Sequence, residues 1–494
     1  IDQSINKSTI MAKEEITLSQ PLQRNLDTFQ NEFWVSKEKL HEIIDVFVQE
    51  LKKGLHDNDD PYQIPMNPTW VMDYPDGSET GDYLALDLGG TNMRVVIVHL
   101  LGNHKFTKVQ TKYRLPDHIR TTRKREELFG FMAECLGKFL KEQNPDGIPE
   151  GKTFPLGFTF SYPTTQSKID SGVLQRWTKG FDIPGVEGND AAALLRDEIE
   201  KREIPIKLVA LICDTTGTLV ASRYTDPDTI MGVIFGTGVN GAYYDVVADV
   251  PKIHNQLPDD ISLATPMLIN CEYGSFDNKH RVLPRTKYDV QIDQESPRPG
   301  QQAFEKMTAG YYLGEIIRKI LLEGYETGYL FKDLAQDSEG AKKLAKDYIL
   351  DSSFLSNLES DDTPDLAESK KEFETKLSIN TTPEERLYAK KISAFIGTRA
   401  ARLSICGISA VCQKMNYRKC HVAADGSVYM KYPHFPERAA KGLSDVFGWD
   451  GIKEEDHPIK IVKAQDGSGV GAAVIAALTH ARNVKGLSLG LKQN

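Results

Sequence analysis

"YLALDLGGTNMRVVIVHLL", residues 83–101, decides how the rest of the chain is read. An apolar run ends at Asp87, Gly89 and Gly90 let the backbone curl, and a second run rich in β-branched residues leads away. Two such runs around a glycine turn predict a β-hairpin. Aspartate is disfavoured inside strands and costly to bury alone, so Asp87 asks for a partner. Thr91 and Asn92 place donors beside the backbone N–H groups of the turn, and a loop of that kind can cradle phosphate. "MGVIFGTGVNGAYYDVV" (231–247) repeats strand, glycine turn and strand, with Gly236, Thr237 and Gly238 in the turn. Together the segments hint at two related halves.

Working outward, 154–163 and 206–214 read as further strands, with helical stretches at 126–142 and 190–201. Strands alternating with helices predict an α/β fold. Residues 22–56 have apolar residues at helical spacing, including Leu40, Ile43, Ile44, Phe47, Val48 and Leu51. Residues 303–324 are also helical in period, and 385–415 read as one or two buried helices. The acidic, polar stretch 351–386 is expected to be a solvent-exposed excursion. Strand–glycine turn–helix units close the chain, one of them through Gly426 and Ser427.

The chain has 494 residues, 40% of them hydrophobic, so it can bury a large core. Its formal charge of −10 disfavours a nucleic-acid partner. The six cysteines show no C-x-x-C pair and no histidine at zinc spacing, which predicts reduced, structural thiols in a cytoplasmic protein. Residues 1–15 show neither an apolar leader core nor a basic amphipathic pattern. No apolar segment is expected to reach the roughly 20 residues needed to cross a bilayer, so no membrane insertion is expected.

No G-x-x-x-x-G-K-[ST] motif occurs, which excludes a P-loop. "GTGVNG" (236–241) and "GSGVGA" (467–472) imitate a dinucleotide fingerprint. The first leads into a strand-like run and the second leaves too little chain for a second strand, so a Rossmann reading fails. Polar residues recur where strands end: Ser161, Asp214, Asn240 and Glu272. Lys179 and Glu305 lie in turn or helix-start contexts. Any one of them could be an ordinary cap or turn residue. As a set they suit a polyhydroxylated ligand, whose buried hydroxyls each need a partner.

"DLGGTNMR", "LGFTFSYP", "RWTKGF", "DTTGTL", "FGTGVNGAYY", "NCEYGSFD", "GTRAARL", "AADGSVYMKYP" and "DGSGVGAAVIAAL" occur in that order. Together they resemble the hexokinase family, most closely the single-unit hexokinases of yeasts. The resemblance implies the two-lobed, actin-like ATPase (ribonuclease H-like) α/β fold with a cleft between lobes. The small lobe would be 81–213 plus 466–494, and the large lobe 1–80 plus 214–465. It implies transfer of the ATP γ-phosphoryl group to the 6-hydroxyl of a hexose (glucose, fructose or mannose), the first step of glycolysis. Asp214 matches the family's general base. Ser161, Thr178, Lys179, Asn240, Glu272 and Glu305 match its sugar-contacting positions. Asp87, Gly89, Gly90, Thr91 and Asn92 match the first phosphate loop, with Asp87 ordering Mg²⁺ through water. Thr218, Gly236, Thr237 and Gly238 match segments near the transferring phosphates, and Gly426 and Ser427 the nucleotide-binding turn. The partners implied are a hexose and MgATP, in a monomer or homodimer.

One position departs from the pattern. Cys213 stands where the family usually has an asparagine whose amide bonds a sugar hydroxyl. A thiol is a weak donor and acceptor, so weaker sugar binding is expected. The alternative is a sugar-binding sensor with little turnover, and Cys213 is its sole support.

Overall fold

The computed structural model describes residues 16–178, 180–464 and 466–492, so Lys179 and the 1–15 stretch lie outside the described residues. Helices α1 (Gln20–Phe33) and α2 (Lys37–His56) precede strands β1 (Asn67–Met72), β2 (Thr80–Leu88), β3 (Asn92–Leu101) and β4 (Phe106–Arg114). Next come α3 (Arg125–Gln143), β5 (Phe154–Phe160), α4 (Ala191–Lys201), β6 (Ile206–Ile212) and α5 (Asp214–Thr225). Strands β7 (Thr229–Phe235), β8 (Val239–Val246) and β9 (Pro266–Asn270) lead to a helical series. That series is α6 (Lys287–Glu295), α7 (Ala303–Thr308), α8 (Gly310–Glu326), α9 (Glu339–Leu344), α10 (Ser352–Ser360), α11 (Ala367–Glu372) and α12 (Pro383–Lys414). The chain closes with β10 (Cys420–Asp425), α13 (Ser427–Lys431), α14 (Phe435–Phe447), β11 (Ile459–Lys463) and α15 (Ala472–Val484).

The strands form two large sheets. The first runs β4-β3-β2-β5-β6 and the second β1-β9-β8-β7-β10-β11. In the first, β4, β3 and β2 pair antiparallel, and β2, β5 and β6 parallel. In the second, β9, β8 and β7 pair antiparallel, and β7, β10 and β11 parallel. Leaving out β1, the order and sense are the same. The glycine hairpins seen in the sequence open each half.

Residues on β2 point alternately to two faces. Leu84, Leu86 and Leu88 pack with α3 and α4 in one core, through Phe129, Phe139 and Leu195 among others. Ala85, on the other face, joins a larger core that includes Ala472, Val474 and Ile475 of α15. The helix after each sheet's last strand packs on the other sheet. α5 follows β6 but lies on β7, and α15 follows β11 but lies on β2, β5 and β6. Glycines permit both approaches: a Cβ on Gly232 would meet Leu219 N at 2.6 Å, and one on Gly157 would meet Ala472 O at 2.2 Å. The two helix starts also touch, since a Cβ on Gly471 would lie 2.1 Å from Gly217 O.

Four sequence expectations need correction. Residues 22–56 form two helices, because Ser36 turns extended and its hydroxyl caps α2 by accepting from Lys39 N at 3.2 Å. Residues 303–324 divide at Ala309, where Gly310 N is drawn to Gly236 O at 2.8 Å. The 351–386 stretch is packed rather than an excursion: Phe354, Leu355, Leu358, Phe373 and Leu377 are buried, and Asp351 caps α10 by accepting from Ser353 N. Its acidity reflects capping and turn roles as much as a solvated surface. Finally, α12 is long and apolar enough by length and composition to cross a membrane, but 89% of that window is buried inside the protein. It is a core helix, tied to α6 by the buried Arg399–Asp289 ion pair at 2.6 and 2.7 Å.

Candidate active site

Candidate residues gather at corresponding ends of the two sheets. Asp214 is the first residue of α5 rather than the last of a strand, and Cys213 is its N-cap. At a helix start, free N–H groups and the dipole favour a negative charge. Thr215 N donates to Asp214 Oδ1 at 2.8 Å, which orients the carboxylate.

Beside it lies an amide–carboxylate cluster. Asn240 Nδ2 donates to Asn270 Oδ1 at 2.8 Å and to Glu272 Oε1 at 2.9 Å, while Asn270 Nδ2 donates to Glu272 Oε1 at 2.8 Å. Glu272 N and Gly241 N both donate to Asn240 Oδ1, which fixes that amide's orientation. Thr215 Oγ1 donates to Asn270 Oδ1 at 3.3 Å, linking the cluster to α5. Glu272 holds left-handed backbone (φ 58°), a costly state for a non-glycine residue. Burial raises its carboxyl above the usual range, the Asp214 charge adds to the rise, and Asn270, Asn240 and Arg176 oppose it.

Glu305, on α7, accepts from Val239 N at 3.0 Å. Its carboxyl is pushed up to about 7, first by burial and also by Glu272, against the pull of the Val239 bond and Arg176. Gly238 permits this approach, since a Cβ there would sit 2.7 Å from Glu305 Oε2. The Cys213 Sγ lies 3.0 Å from Thr215 Oγ1 and 3.1 Å from Thr216 Oγ1. Burial and the Asp214 charge push its thiol up to about 11, so it is protonated and no nucleophile at neutral pH. Ser161 is half-buried just after β5, and Thr178 accepts from Phe181 N through its carbonyl at 3.2 Å.

The glycine loops follow the same logic. Gly89 N donates to Asn92 O, closing the β2–β3 turn, and Asn92 Nδ2 donates to Thr91 Oγ1 at 2.8 Å. Gly236 N donates to Gly238 O at 3.0 Å, with Thr237 exposed between them. Gly426 (φ 106°) packs on this loop: a Cβ would meet Phe235 O at 2.5 Å and Gly236 N at 2.8 Å. Exposed Ser427 follows it. Thr218 is buried against Gly467, a packing position in the α5 contact.

Asp87 carries a feature absent from the sequence reading. Arg94 Nη2 donates to Asp87 Oδ2 at 2.9 Å and Nη1 to Asp466 Oδ1 at 3.0 Å. Ser468 Oγ also donates to Asp87 Oδ2, at 2.8 Å, and Lys108 pairs with Asp466. Among the described residues, the hydrogen bonds to Asp87 fall on Oδ2, which suits Oδ1 to a water or a hard cation. Two loops with exposed hydroxyls, backbone N–H groups and a carboxylate at one end fit a nucleotide phosphate with Mg²⁺. Asn270, Arg176, Arg94 and Asp466 were missed as site residues. All four lie within motifs quoted above as whole strings, and only the pairings in three dimensions single them out.

Comparison with known proteins agrees with this geometry. Two family models described as hexokinase match residues 25–224 and 230–478. The chain is 58% identical over 460 residues to a hexokinase of Kluyveromyces lactis, covering 93% of each. It is 54% identical over 470 residues to hexokinase-2 of Saccharomyces cerevisiae, covering 95% of each. A Schistosoma mansoni hexokinase solved with glucose superposes with a TM-score of 0.80 at 32% identity, over 93% of this chain and 99% of that one.

Proposed function

The chain belongs to the hexokinase family, and from that premise we propose how its own residues perform the reaction. The protein has the two-lobed sugar-kinase fold and catalyses ATP-dependent phosphorylation of a hexose with MgATP. The proposed acceptor is the 6-hydroxyl, with glucose, fructose and mannose as substrates. The observation carrying the assignment is Asp214, held at the start of α5 by Thr215 N at 2.8 Å.

Asp214 accepts the hydroxyl proton as that oxygen attacks phosphorus, the role of a general base within hydrogen-bond reach. Asn240, Asn270, Glu272 and Glu305 present acceptors and amide donors to the remaining hydroxyls, with Ser161, Thr178 and Lys179 completing the sugar site. Asn270 is a member the motif reading did not single out. Gly89–Asn92 and Gly236–Gly238 turn backbone N–H groups toward phosphate, and Gly426 and Ser427 receive the nucleoside. Mg²⁺, when bound with ATP, neutralises charge on the phosphoryl oxygens, and Asp87 Oδ1 is placed to hold it through water.

The proposed small lobe is 81–213 with 466–494, supported by α15 lying on the first sheet. The remaining chain, 1–80 with 214–465, is the large lobe. Six free cysteines, five of them buried, support a reducing compartment and a cytoplasmic assignment. The sensor reading is not favoured: hexokinase relatives at 54–58% identity and the Asn240–Asn270–Glu272 cluster support a working kinase. Cys213 is proposed to weaken sugar binding by replacing an amide partner. The test is phosphorylation of the three sugars with MgATP by the natural protein and by Asp214→Ala. Turnover lost in the variant, with sugar binding kept, supports the base. Equal turnover in both proteins overturns it.

A further inference from the structure

At the far end of the second sheet from the glycine loops there is a cavity of about 190 Å³. Tyr74, Arg223, Asp228, Tyr244, Tyr417 and Lys419 line it. They come from separate places in the fold: the loop after β1, the last turn of α5, the starts of β7 and β10, and β8. β7 has 7 residues, which puts the cavity roughly 20 Å from the loop at its other end. No residue assigned above to sugar or nucleotide lines it.

Three of the walls are aromatic. The Tyr74 and Tyr244 rings lie 4.5 Å apart, and the Arg223 guanidinium lies 4.3 Å from the Tyr74 centroid. Tyr244 is buried and its hydroxyl donates to Asp73 O, so the ring is fixed. Arg223 is anchored by Nη1 donating to Pro227 O at 3.0 Å and Thr229 O at 2.8 Å. Its Nε is buried without a hydrogen-bond partner among the described residues. Lys419 adds an exposed second cation, and Asp228 an exposed acceptor. The neighbouring Asp226 is engaged by His421 Nδ1 at 2.5 Å and Thr229 Oγ1 at 3.1 Å, so it does not neutralise Arg223 directly.

Flat faces stack on flat rings, and a preordered arginine with a lysine grips an anion. A carboxylate at the rim accepts from an amino or ring N–H. We propose that this cavity is a second ligand site for a purine mononucleotide, with the base against Tyr417 and the phosphate on Arg223, held in place by Tyr74, and on Lys419. The cavity suits a base with the phosphate at its mouth, not a buried triphosphate.

The site shares a helix with the proposed catalytic base. Arg223 lies nine residues after Asp214 on α5, about 14 Å along the axis at 1.5 Å per residue. Occupancy is therefore placed to be felt at Asp214 through one rigid element.

The test is equilibrium dialysis of AMP with the full chain, at saturating glucose and with a non-hydrolysable ATP analogue filling the active site. One AMP per chain that the analogue does not displace is expected. Binding should weaken at least tenfold in Tyr417→Ala/Lys419→Glu, while glucose phosphorylation stays within twofold and Tm is unchanged. Adenosine, lacking the phosphate, should bind at least tenfold more weakly than AMP. AMP fully displaced by the analogue, unaffected by the double variant, or matched by adenosine would overturn the proposal. If the double variant lowers Tm, Lys419→Glu alone must still weaken AMP binding for the assignment to stand.

Discussion

The two sheets share a strand order and part company at the joint after their last strand. In the first, β6 runs through Cys213 into Asp214, the opening residue of α5. In the second, β11 runs through Asp466 into a glycine turn, Gly467–Gly471, and then α15. Each joint thus carries an aspartate. Asp466 is tied to Arg94 and Lys108, and those partners hold its carboxyl below the usual range although burial pushes it the other way. Asp214 opens a helix, accepts from Thr215 N, and lies close enough to the Cys213 thiol and the Glu272 carboxyl to push both up. Repeating a topology repeats the positions: the proposed general base stands at one joint and the Arg94–Asp466–Lys108 ion-pair network at the other.

The largest expected effect separates the two joints directly. Asp214→Ala should lower kcat by about 10²–10⁴-fold with little change in Tm. Asp466→Asn should mainly loosen the Arg94–Lys108 network, costing about 1 kcal/mol, since those partners are partly exposed. Steady-state kinetics beside thermal unfolding will show whether the joints differ in kind, and matching kcat losses would erase the distinction.

Gly471→Ala probes the seam where the joints meet. The added methyl would lie 2.1 Å from Gly217 O, and backbone cannot swing aside. A loss of about 1–3 kcal/mol is expected from urea unfolding, with activity falling as well because α5 must shift.

A third prediction uses acidity. Glu305 titrates at about 7, above the ordinary glutamate value. Protonated at lower pH, it gains charge as pH rises, and the carboxylate is the better acceptor for sugar hydroxyls. Glucose KM should therefore fall between pH 6 and 8, and Glu305→Gln should flatten the profile. The sign for stability is opposite: because the folded pKa is raised, Glu305 reduces folding stability as pH climbs from its ordinary value toward 7. A KM that rises with pH would show that the protonated acid is the binding form.

The smallest effect concerns Cys213→Asn. Gaining one hydrogen bond to sugar is worth about 0.5–1.5 kcal/mol, a severalfold drop in glucose KM. Equal KM values would mean the thiol does not touch the sugar.

Much of this was legible in the residues. Glycine hairpins and alternating strands give their own signal, so both hairpins and the loops at Gly89 and Gly236 could be read directly, while β1, β4 and β9 could not. Helix breaks at Ser36 and Ala309 were not, because a cap or a distant carbonyl ends a helix without disturbing its apolar period. The 351–386 stretch misled because its acids cap helices whose apolar residues lie inside. Asn270 and Asp466 were hidden for a further reason: their importance lies in partners 30 and 372 residues away.

The crossed helices also bear on how the protein is made. The first sheet is complete once residue 212 has been synthesised, yet the helix covering its inner face is α15, which ends at Val484. At about 5–20 residues per second, some tens of seconds pass before that cover leaves the ribosome. Throughout that interval a nascent chain carries a finished sheet with one oily side bare. Completion of the first half is thereby postponed to the end of translation, and a chain truncated before α15 leaves that half's inner face uncovered.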